Sequence, residues 1–505
     1  MKRLVSLALS AALALSLLAG CGNSTDPQTT GTAPAGGNEG PGAAKDTIVW
    51  AQSGDINSLD FHVGKQYLSY GVTCNIFDTL VSWDADNNVI PMLATEWEFL
   101  DEDSIQFKLR EGVTFHDGEP FTAEDVKYTY ERARDHTIVK NNFSWLESVD
   151  VVDDYTVVIN TIGAYSPVLN ALCSPLCGIM PKHLMEANEN AMAEFPIGTG
   201  PYKFVERAEG EYIKMEANED YWQGAPAIKR LEYRSLAETT TAIVALETGS
   251  VDLVMNIGAL DAQLVQENPD LAYAETTSTT TYYVGFNCAK APLDNKLVRK
   301  ALAMAVDKDA VILGAVDGAG VVAANVMPDG TTGAPAEADQ PTIPYDPEAA
   351  VKLLEEAGYG PGELTVHLAV REGATKKAGT ILQDQWKAIG VNTVVDTLER
   401  SAMLNDMYNG NLEAYIVGDV ALTMDASMQT STLDSSTIPY TNSTFYSNPE
   451  YDALNDEQAV QMNDPERRVE IITQMMEIEV EDAPRVHLYH PVSNIAYNKN
   501  LNVEV

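Results

Sequence analysis

The chain has 505 residues, of which 45% are hydrophobic and 21% are charged, values that are ordinary for a globular protein. Its 74 acidic and 32 basic side chains give a formal net charge of −42. This charge argues against nucleic acid as a partner and against a face that adsorbs to anionic lipid. A chain of this length is too long for one hydrophobic core, so we expect about two or three domains.

The N-terminus has the pattern of an export signal. Lys2 and Arg3 precede an apolar run at residues 4–18, which is short for a membrane span but typical of a signal-peptide core. The run leads into the letters LAGC, which resemble a bacterial lipobox ending at Cys21. We therefore predict that residues 1–20 are a lipoprotein signal peptide and that Cys21 is lipidated and anchors the protein to the cell membrane. An uncleaved anchor with an incidental cysteine is the alternative, and in both cases the remaining chain is exported.

The segment that follows is low in complexity. Residues 22–45 are mostly Gly, Ser, Thr, Pro, Ala and Asn, without a large apolar residue, so they cannot bury enough surface to fold. As a flexible chain the segment spans roughly 27 Å. We assign residues 21–45 to a tether and place the start of the ordered body near Asp46.

Alternating strand and helix patterns run through the body. Helix starts are signalled by Asp346, which precedes a proline, and by Asp464. The mixture predicts a mixed α/β (α+β) architecture. The main predicted strands are 47–52, 156–161, 202–206, 212–217 and 230–234, and the main predicted helices are 237–248, 295–306, 347–357, 378–389 and 465–480.

Residues 107–132 form the most informative stretch of the chain. They predict a half-buried strand, a turn at Asp117-Gly118 and a helix. Thr122 is the expected N-cap of that helix, with Asp125 as the return partner of a near-capping box. The polar residues of the turn favour a structural role over catalysis.

This stretch and seven other segments resemble, in order, the signature of one family. That family is the peptide/nickel class of extracytoplasmic solute-binding proteins, solute-binding protein family 5, whose members capture substrates for ABC importers. The segments are 75–80, 91–97, 107–132, 198–202, 218–224, 286–302, 345–359 and 446–451.

The resemblance implies a two-lobed periplasmic-binding-protein-like fold with a ligand cleft between the lobes. Two crossover strands, at 282–286 and 486–492, would join the lobes, and an additional domain would be inserted into the first lobe. The first lobe would comprise 46–80, 196–283 and 486–505, the inserted domain 81–195, and the second lobe 284–485.

The resemblance also implies a ligand anchor in the second lobe. Peptide-binding members pair the ligand's α-ammonium group with a carboxylate in a G-W-x-x-D stretch. The matching letters here, AYIVGD, contain Tyr415, Ile416 and Asp419, so Asp419 is the expected anchor. Ile416 stands where the family often has an aromatic residue, and the Asp-Pro pair common in peptide binders is absent. Asp425 is a second candidate acid.

The opposite wall of the family's pocket includes the loop after the first strand. Here that loop carries Lys65, Gln66 and Tyr67. A lysine could meet a ligand carboxylate and a tyrosine could pack against a side chain, although each residue could equally be exposed to solvent.

We therefore expect a membrane-tethered, non-enzymatic, monomeric subunit that captures short peptides and delivers them to ABC permease subunits, without a cofactor. Alternatives on the same fold are a binder of a nickel chelate, haem or another amino-bearing metabolite, or a peptide-sensing receptor. The seven histidines are scattered, which disfavours direct metal coordination. A surface hydrolase would need a catalytic motif, and the common motifs are absent from the sequence.

The sequence alone does not decide whether the remaining cysteines form disulfides. Besides Cys21 there are four cysteines, which allow three pairings or can remain free thiols. They are Cys74, Cys173, Cys177 and Cys288.

Overall fold

The computed structural model describes residues 45–64, 67–85, 87–328, 330–421, 423–461 and 464–502. The predicted signal peptide, the lipidated Cys21 and nearly all of the tether lie outside the described residues, as do Lys65 and Gln66. In the part that is described, none of the helices combines the length and the apolar character that crossing a bilayer requires.

The described strands and helices alternate along the chain as the sequence predicts. The strands are β1 (Thr47–Gln52), β2 (Val81–Trp83), β3 (Val89–Pro91), β4 (Ala94–Phe99), β5 (Ser104–Leu109), β6 (Leu146–Asp153), β7 (Thr156–Thr161), β8 (Tyr202–Ala208), β9 (Tyr212–Ala217), β10 (Arg230–Ser235), β11 (Leu253–Met255), β12 (Leu271–Thr277), β13 (Thr280–Phe286), β14 (Gly320–Val322), β15 (Leu364–Val370), β16 (Val391–Thr397), β17 (Ala414–Val420) and β18 (Arg485–Asn498). The α-helices are α1 (Tyr67–Thr73), α2 (Ala123–Asp135), α3 (Val168–Leu172), α4 (Lys182–Ala187), α5 (Ala191–Glu194), α6 (Thr239–Glu247), α7 (Ala259–Glu267), α8 (Lys296–Met304), α9 (Lys308–Val316), α10 (Pro347–Glu356), α11 (Ala374–Ala388), α12 (Arg400–Tyr408), α13 (Ala426–Thr430), α14 (Pro449–Ala459) and α15 (Pro465–Asp482).

Capping chemistry places the helix starts where the sequence predicts them. Asp346 and Asp464 accept the backbone N–H groups of residues three positions later, at 2.9 Å and 3.0 Å. At Thr122 the capping box is present, since its N–H donates to the Asp125 carboxylate at 2.9 Å. Helix α11 begins four residues before its predicted start, because good helix formers precede the apolar stripe that the prediction relied on.

One mixed sheet dominates the structure. Twelve of the described strands belong to it, in the order β16-β15-β17-β13-β18-β11-β1-β10-β9-β8, with β12 and β14 also pairing with β18. A separate antiparallel sheet has the order β4-β5-β7-β6, and β2 pairs with β3. Parallel pairs such as β15 with β16 and antiparallel pairs such as β13 with β17 occur together.

Strand β18 links the two halves of the large sheet. Its first residues pair antiparallel with β13, and its later residues pair with β11 and β12. Strands β13 and β18 therefore occupy the positions predicted for the two crossover strands. The boundaries of the lobes and of the inserted domain remain predictions.

Separate hydrophobic cores accompany these sheets. One core is built from buried residues between Leu80 and Ile179, and the largest other core draws on residues between Val284 and Tyr489. The first holds the strand and helix of the 107–132 stretch. The four cysteines of the described body are free thiols.

Three of the signature segments meet at one buried acid. Asp78 lies in the first of them, and its carboxylate accepts hydrogen bonds from Thr199 (2.9 Å), Tyr221 (3.2 Å) and Trp222 (2.9 Å). Burial raises the pKa of Asp78, and these three donors oppose that shift. These hydrogen bonds to one buried carboxylate give a structural reason for the residue types in the three segments.

The turn of the 107–132 stretch is also structural. The ring of His116 lies 2.9 Å from the carbonyl oxygen of Gly200, and Asp117 lies 2.9 Å from the ring of His183. Burial lowers the pKa of His116 to about 4, so its ring is neutral at physiological pH. This arrangement agrees with the structural role predicted for the turn.

Gly285 in β13 offers a test of the β13–β17 packing. A methyl group at this position would lie 2.5 Å from the ring of Tyr415, which is buried and hydrogen-bonded to Ser443 at 2.7 Å. We expect Gly285→Ala to lower the free energy of unfolding by about 1–3 kcal/mol, measured by guanidinium denaturation. The matched change Gly71→Ala, in α1 with no atom within 4 Å of the new methyl group, should leave stability unchanged or slightly higher. Equal losses in both variants would contradict this account.

Candidate functional site

A large cavity opens beside the β13–β17 pair. Its volume is about 1040 Å³, at the upper end of the range in which proteins enclose small ligands. Strands β13 and β17 form its floor, helix α12 and the segment after β15 form one wall, and residues 427–443 contribute another. Asn141, Trp145 and Tyr165, from the region predicted as the inserted domain, complete the enclosure.

Asp419 is an acid of this cavity. It lies near the C-terminal end of β17, opposite Thr281 of β13, and is partly buried. Among the described residues, none places a basic nitrogen within 4.0 Å of the Asp419 carboxylate. The cavity therefore contains a desolvated acid whose charge no direct ion pair neutralises.

The surroundings of Asp419 act on its ionisation in opposite directions. Burial raises its pKa, while the charge of Arg485 and a backbone hydrogen bond oppose the increase. Arg485 is itself held by Glu479 at 2.6 Å and donates to Thr432, a cavity residue, at 2.7 Å. A cation bound beside Asp419 would lower the pKa of Asp419 again, so this position favours a positively charged group.

Two arginines lie at the rim of the same cavity. Arg371 follows β15 and Arg400 begins α12, and both side chains are exposed. No carboxylate of the described chain forms an ion pair with either guanidinium group, whereas Glu372 beside them pairs with Lys376. Burial raises the pKa of the Tyr408 hydroxyl, the charge of Asp419 adds to the increase, and the charge of Arg400 opposes it. The cavity thus offers an anionic anchor and a cationic rim.

Apolar and aromatic side chains share the remaining walls with Asn, Ser and Thr residues. Trp145 stacks on Tyr165, with the two rings 5.7 Å apart and 4° from parallel. Tyr408 meets Tyr440 edge to face at 5.4 Å. Methionines of α12 add adaptable contact surface. Such a lining suits ligands with varied apolar side chains.

The residues predicted for this site have different environments in the structure. Asp419 and Ile416 both line the cavity, although Ile416 is almost fully buried and belongs to the core that includes Val284. Tyr415 does not line the cavity, but its hydroxyl forms a hydrogen bond with the hydroxyl of Ser443, which does. Tyr67 begins α1, but its side chain is not among the parts of the chain that the structure describes. Lys65 and Gln66 also lie outside the described residues.

Asp425 has a different environment from that expected of a ligand-binding acid. It is fully buried, it does not line the cavity, and its carboxylate accepts hydrogen bonds from both terminal nitrogens of Arg468, at 3.0 Å and 2.5 Å. It also caps α13 by accepting the N–H of Ser427 at 2.9 Å. The geometry assigns Asp425 to an internal ion pair, which corrects its place as a spare anchor.

Histidine and cysteine, the usual ligands of transition metals, are distributed away from the described cavity lining. Over the described ranges, its residues include no histidine and no cysteine. Nor do the described residues bring three or more His, Cys, Asp or Glu side chains into an arrangement that could hold a metal ion. His487 and His490 lie in β18, where their nearest side-chain partners are Glu479 and Thr281, respectively.

Sequence reasoning missed the aromatic wall and the arginine rim. Trp145 and Tyr165 lie in turns around the four-stranded sheet, far in sequence from Asp419. No local pattern marks them as cavity residues. The two arginines each stand beside a strand end or helix start, where charged residues are common, so only the fold distinguishes them.

The sequence of the chain is similar to those of bacterial solute-binding proteins. The family described as bacterial extracellular solute-binding proteins, family 5 Middle, matches residues 88–440. A haem-binding protein A of Haemophilus influenzae is 30% identical over 450 residues, which are 83% of this chain and 82% of that protein. A glutathione-binding protein GsiB of Salmonella typhimurium is 29% identical over 473 residues, covering 91% of both chains.

A solved structure supports the fold. The periplasmic binding protein DppA of Helicobacter pylori, determined in complex with the peptide STSA, superposes with a TM-score of 0.74 at 25% identity, covering 90% of this chain and 94% of that one. The prediction of a mixed α/β periplasmic-binding-protein fold is confirmed.

Substitution of the two acids should separate their roles. Asp425→Asn weakens a buried ion pair and leaves the charge of Arg468 uncompensated, so we expect it to lower the free energy of unfolding by about 3–5 kcal/mol. Asp419→Asn should leave stability at neutral pH unchanged or slightly higher. Because folding raises the pKa of Asp419, its contribution to stability is present in acid and is lost as the pH rises through the raised pKa.

Guanidinium denaturation of the ligand-free protein at neutral pH measures both effects. Equal losses of stability in the two variants would show that the two carboxylates have similar surroundings, contrary to the structure.

Proposed function

The chain belongs to the bacterial extracellular solute-binding proteins of family 5, and from this premise we propose that it captures short peptides with a free N-terminus. Membership makes it a non-enzymatic, extracytoplasmic substrate-binding protein of an ABC importer. The peptide ligand and its mode of binding are the proposal. The observation that carries it is the carboxylate of Asp419, which lines a large cavity and which, among the described residues, has no basic nitrogen within 4.0 Å.

Asp419 is the proposed anchor for the ligand's α-ammonium group. A charge-assisted hydrogen bond from the ammonium group would give this carboxylate the cationic partner that the described residues do not provide within 4.0 Å. Because the site is partly desolvated, the attraction is stronger than it would be in water. The ammonium group would also relieve the unfavourable burial of the charged acid.

The rim supports the opposite end of such a ligand. Arg371 or Arg400 can receive a carboxylate, and the planar guanidinium group suits bidentate pairing with it. The aromatic lining and the volume of about 1040 Å³ leave room for varied side chains between the two ends. Affinity would then depend chiefly on the termini and the main chain of the peptide, with side chains accommodated loosely.

The names of the relatives define the alternatives. The haem-binding and glutathione-binding relatives allow haem or a different amino-bearing metabolite as the ligand here. A nickel chelate is the further alternative that the resemblance to the peptide/nickel class implies. The absence of histidine and cysteine from the described lining favours an organic zwitterion over a ligand that needs a protein-to-metal bond. Mass spectrometry of what co-purifies with the native protein distinguishes these ligands directly. Loss of peptide uptake on deletion would indicate transport, and normal uptake with a lost peptide response would indicate sensing.

Calorimetry can test the amine anchor. We expect a member of a di- to pentapeptide pool to bind with a Kd of about 1 μM or below. N-acetylation of that peptide should weaken binding by about tenfold or more, and Asp419→Asn should weaken binding of the free peptide similarly. Affinity should also fall as the pH is lowered through the raised pKa of Asp419, because the protonated acid cannot pair with an ammonium group.

The control is Asp317→Asn, at an exposed residue that ends helix α9 away from the cavity, and it should bind like the unmodified protein. Acetylation without effect would exclude the ammonium–Asp419 contact. If acetylated and free peptides respond equally to Asp419→Asn, the acid acts on something other than the N-terminus.

We also propose that Cys21 is the site of lipid anchoring, supported by the lipobox-like sequence that precedes it. Cys21→Ala should remove the thiol that accepts the lipid and release the protein from the membrane fraction of its host. Cys74→Ala, at a cysteine of the folded body, is the matched control and should remain membrane-bound. Metabolic labelling with a fatty acid measures the modification, and labelling of the Cys21→Ala protein would contradict the assignment.

A further inference from the structure

Three charged residues of the cavity stand at one edge of the large sheet. Strands β16, β15 and β17 are neighbours in that order, and both pairs are parallel. Arg400 and Arg371 follow the carboxyl ends of β16 and β15, and Asp419 lies near the carboxyl end of β17. The N–H of Leu398 still donates to the carbonyl of Val370 at 2.9 Å, so the pairing of β15 with β16 continues up to the two arginines. The charges along this edge therefore follow the order positive, positive, negative.

The acids nearest to the arginines in the sequence are engaged elsewhere. Glu399 precedes Arg400, but its carboxylate caps α12 by accepting backbone N–H groups at 2.7 Å and 3.4 Å. These hydrogen bonds lower the pKa of Glu399. Glu372 follows Arg371, but its carboxylate accepts the ammonium group of Lys376 at 2.8 Å. Neither arginine is thus neutralised by its own segment.

The charges of the described lining do not balance. Arg371, Arg400, Glu372 and Asp419 line the cavity, and the charge of Glu372 is matched by Lys376. Two positive charges and one negative charge remain. A zwitterionic peptide has one ammonium group and one carboxylate, so it would pair with Asp419 and with one arginine only. A ligand with one ammonium group and two carboxylates would give all three residues a partner.

The acidity of the whole chain does not oppose a ligand of this kind. The formal net charge is −42, but exposed charges more than about 8 Å apart are largely screened at physiological ionic strength. The guanidinium groups of the cavity rim act at contact distance, where screening is weakest. Local charge in the cavity therefore decides which ligand is preferred.

Building on the proposed capture of peptides, we propose that this protein selects short acidic peptides, which carry a second carboxylate besides the C-terminal one. An aspartate or glutamate side chain of the ligand supplies this carboxylate. The order of charges along the sheet edge sets the polarity of the ligand, with its N-terminus at β17 and its two carboxylates at β15 and β16. Each planar guanidinium group presents parallel N–H donors to one carboxylate, and a neutral amide side chain of the ligand cannot match that charge.

Matched peptides test this selection. One pair is Ala-Glu-Ala and Ala-Gln-Ala, and the other is Ala-Ala-Glu and Ala-Ala-Gln, so that the members of each pair differ only in one carboxylate. Calorimetry should show that the acidic member of at least one pair binds about tenfold or more tightly than its amide. Equal affinities within both pairs would overturn the inference and leave the amine anchor at Asp419 in place.

Substitution of the arginines identifies the groups that read the second carboxylate. Arg371→Gln and Arg400→Gln both change exposed residues, so the variants should fold. We expect one substitution to weaken the acidic peptide about tenfold and to remove the preference over its amide. The other substitution should weaken both members of the pair, because it removes the partner of the C-terminal carboxylate. If both substitutions weaken the two members alike, the arginines share a single carboxylate and the inference is wrong.

Arg230→Gln is the matched control. Arg230 is an exposed arginine that begins β10, far along the sheet order from the cavity, and its loss should leave the preference for the acidic peptide unchanged. Loss of the preference in this variant would show that overall charge decides it, contrary to the proposal. N-acetylation without effect, together with an intact acidic preference, would overturn the anchor at Asp419 alone. Absence of binding by all four peptides would overturn both the proposed function and this inference.

Discussion

The antiparallel pairing of β13 with β18 is the constraint on which the rest of the molecule depends. β18 continues from this pair into the other half of the large sheet, so it joins the two halves through backbone hydrogen bonds. On its other side β13 pairs with β17, and this register places Asp419 opposite Thr281. A shift of one residue in the register would turn Asp419 away from the cavity, because successive side chains alternate between faces. The close approach of Gly285 to Tyr415 opposes such a shift.

Asp419 and Asp425 illustrate how environment decides the role of one residue type. They are six positions apart, and both are acids in the segment that the family resemblance marks as ligand-binding. Asp425 reaches Arg468 on a distant helix and becomes part of an internal ion pair. Of the charges on the described residues, the more remote guanidinium group of Arg485 acts on Asp419, and Asp419 lines the cavity. A buried charge with a partner stabilises local structure, whereas one without a partner is available to a ligand.

The cavity combines opposite charges with apolar surface. It is lined by an acid, two exposed arginines and stacked aromatic rings, alongside Asn, Ser and Thr residues. Under the proposed function, this combination would suit a zwitterion with variable side chains.

Local chemistry explains how much of the fold the sequence could predict. Strands β1 and β9 begin and end at the predicted residues, since their alternating patterns and flanking turns are encoded within a few positions. Asp346, Asp464 and the Thr122 box cap their helices as predicted, because capping depends on residues at most three apart. The eight ordered segments were enough to identify the family.

By itself, then, the sequence determined the secondary-structure pattern and the family, and through the family resemblance it pointed to Asp419, whose role as the ligand anchor is a proposal. Only the tertiary structure decided which charges have partners. Arg468 lies 43 positions from Asp425, and Asn170 lies 255 positions away. The aromatic pair of Trp145 and Tyr165 reaches the same cavity from another packed body. Burial and pairing arise from contacts between distant segments, and no local pattern in the chain encodes them.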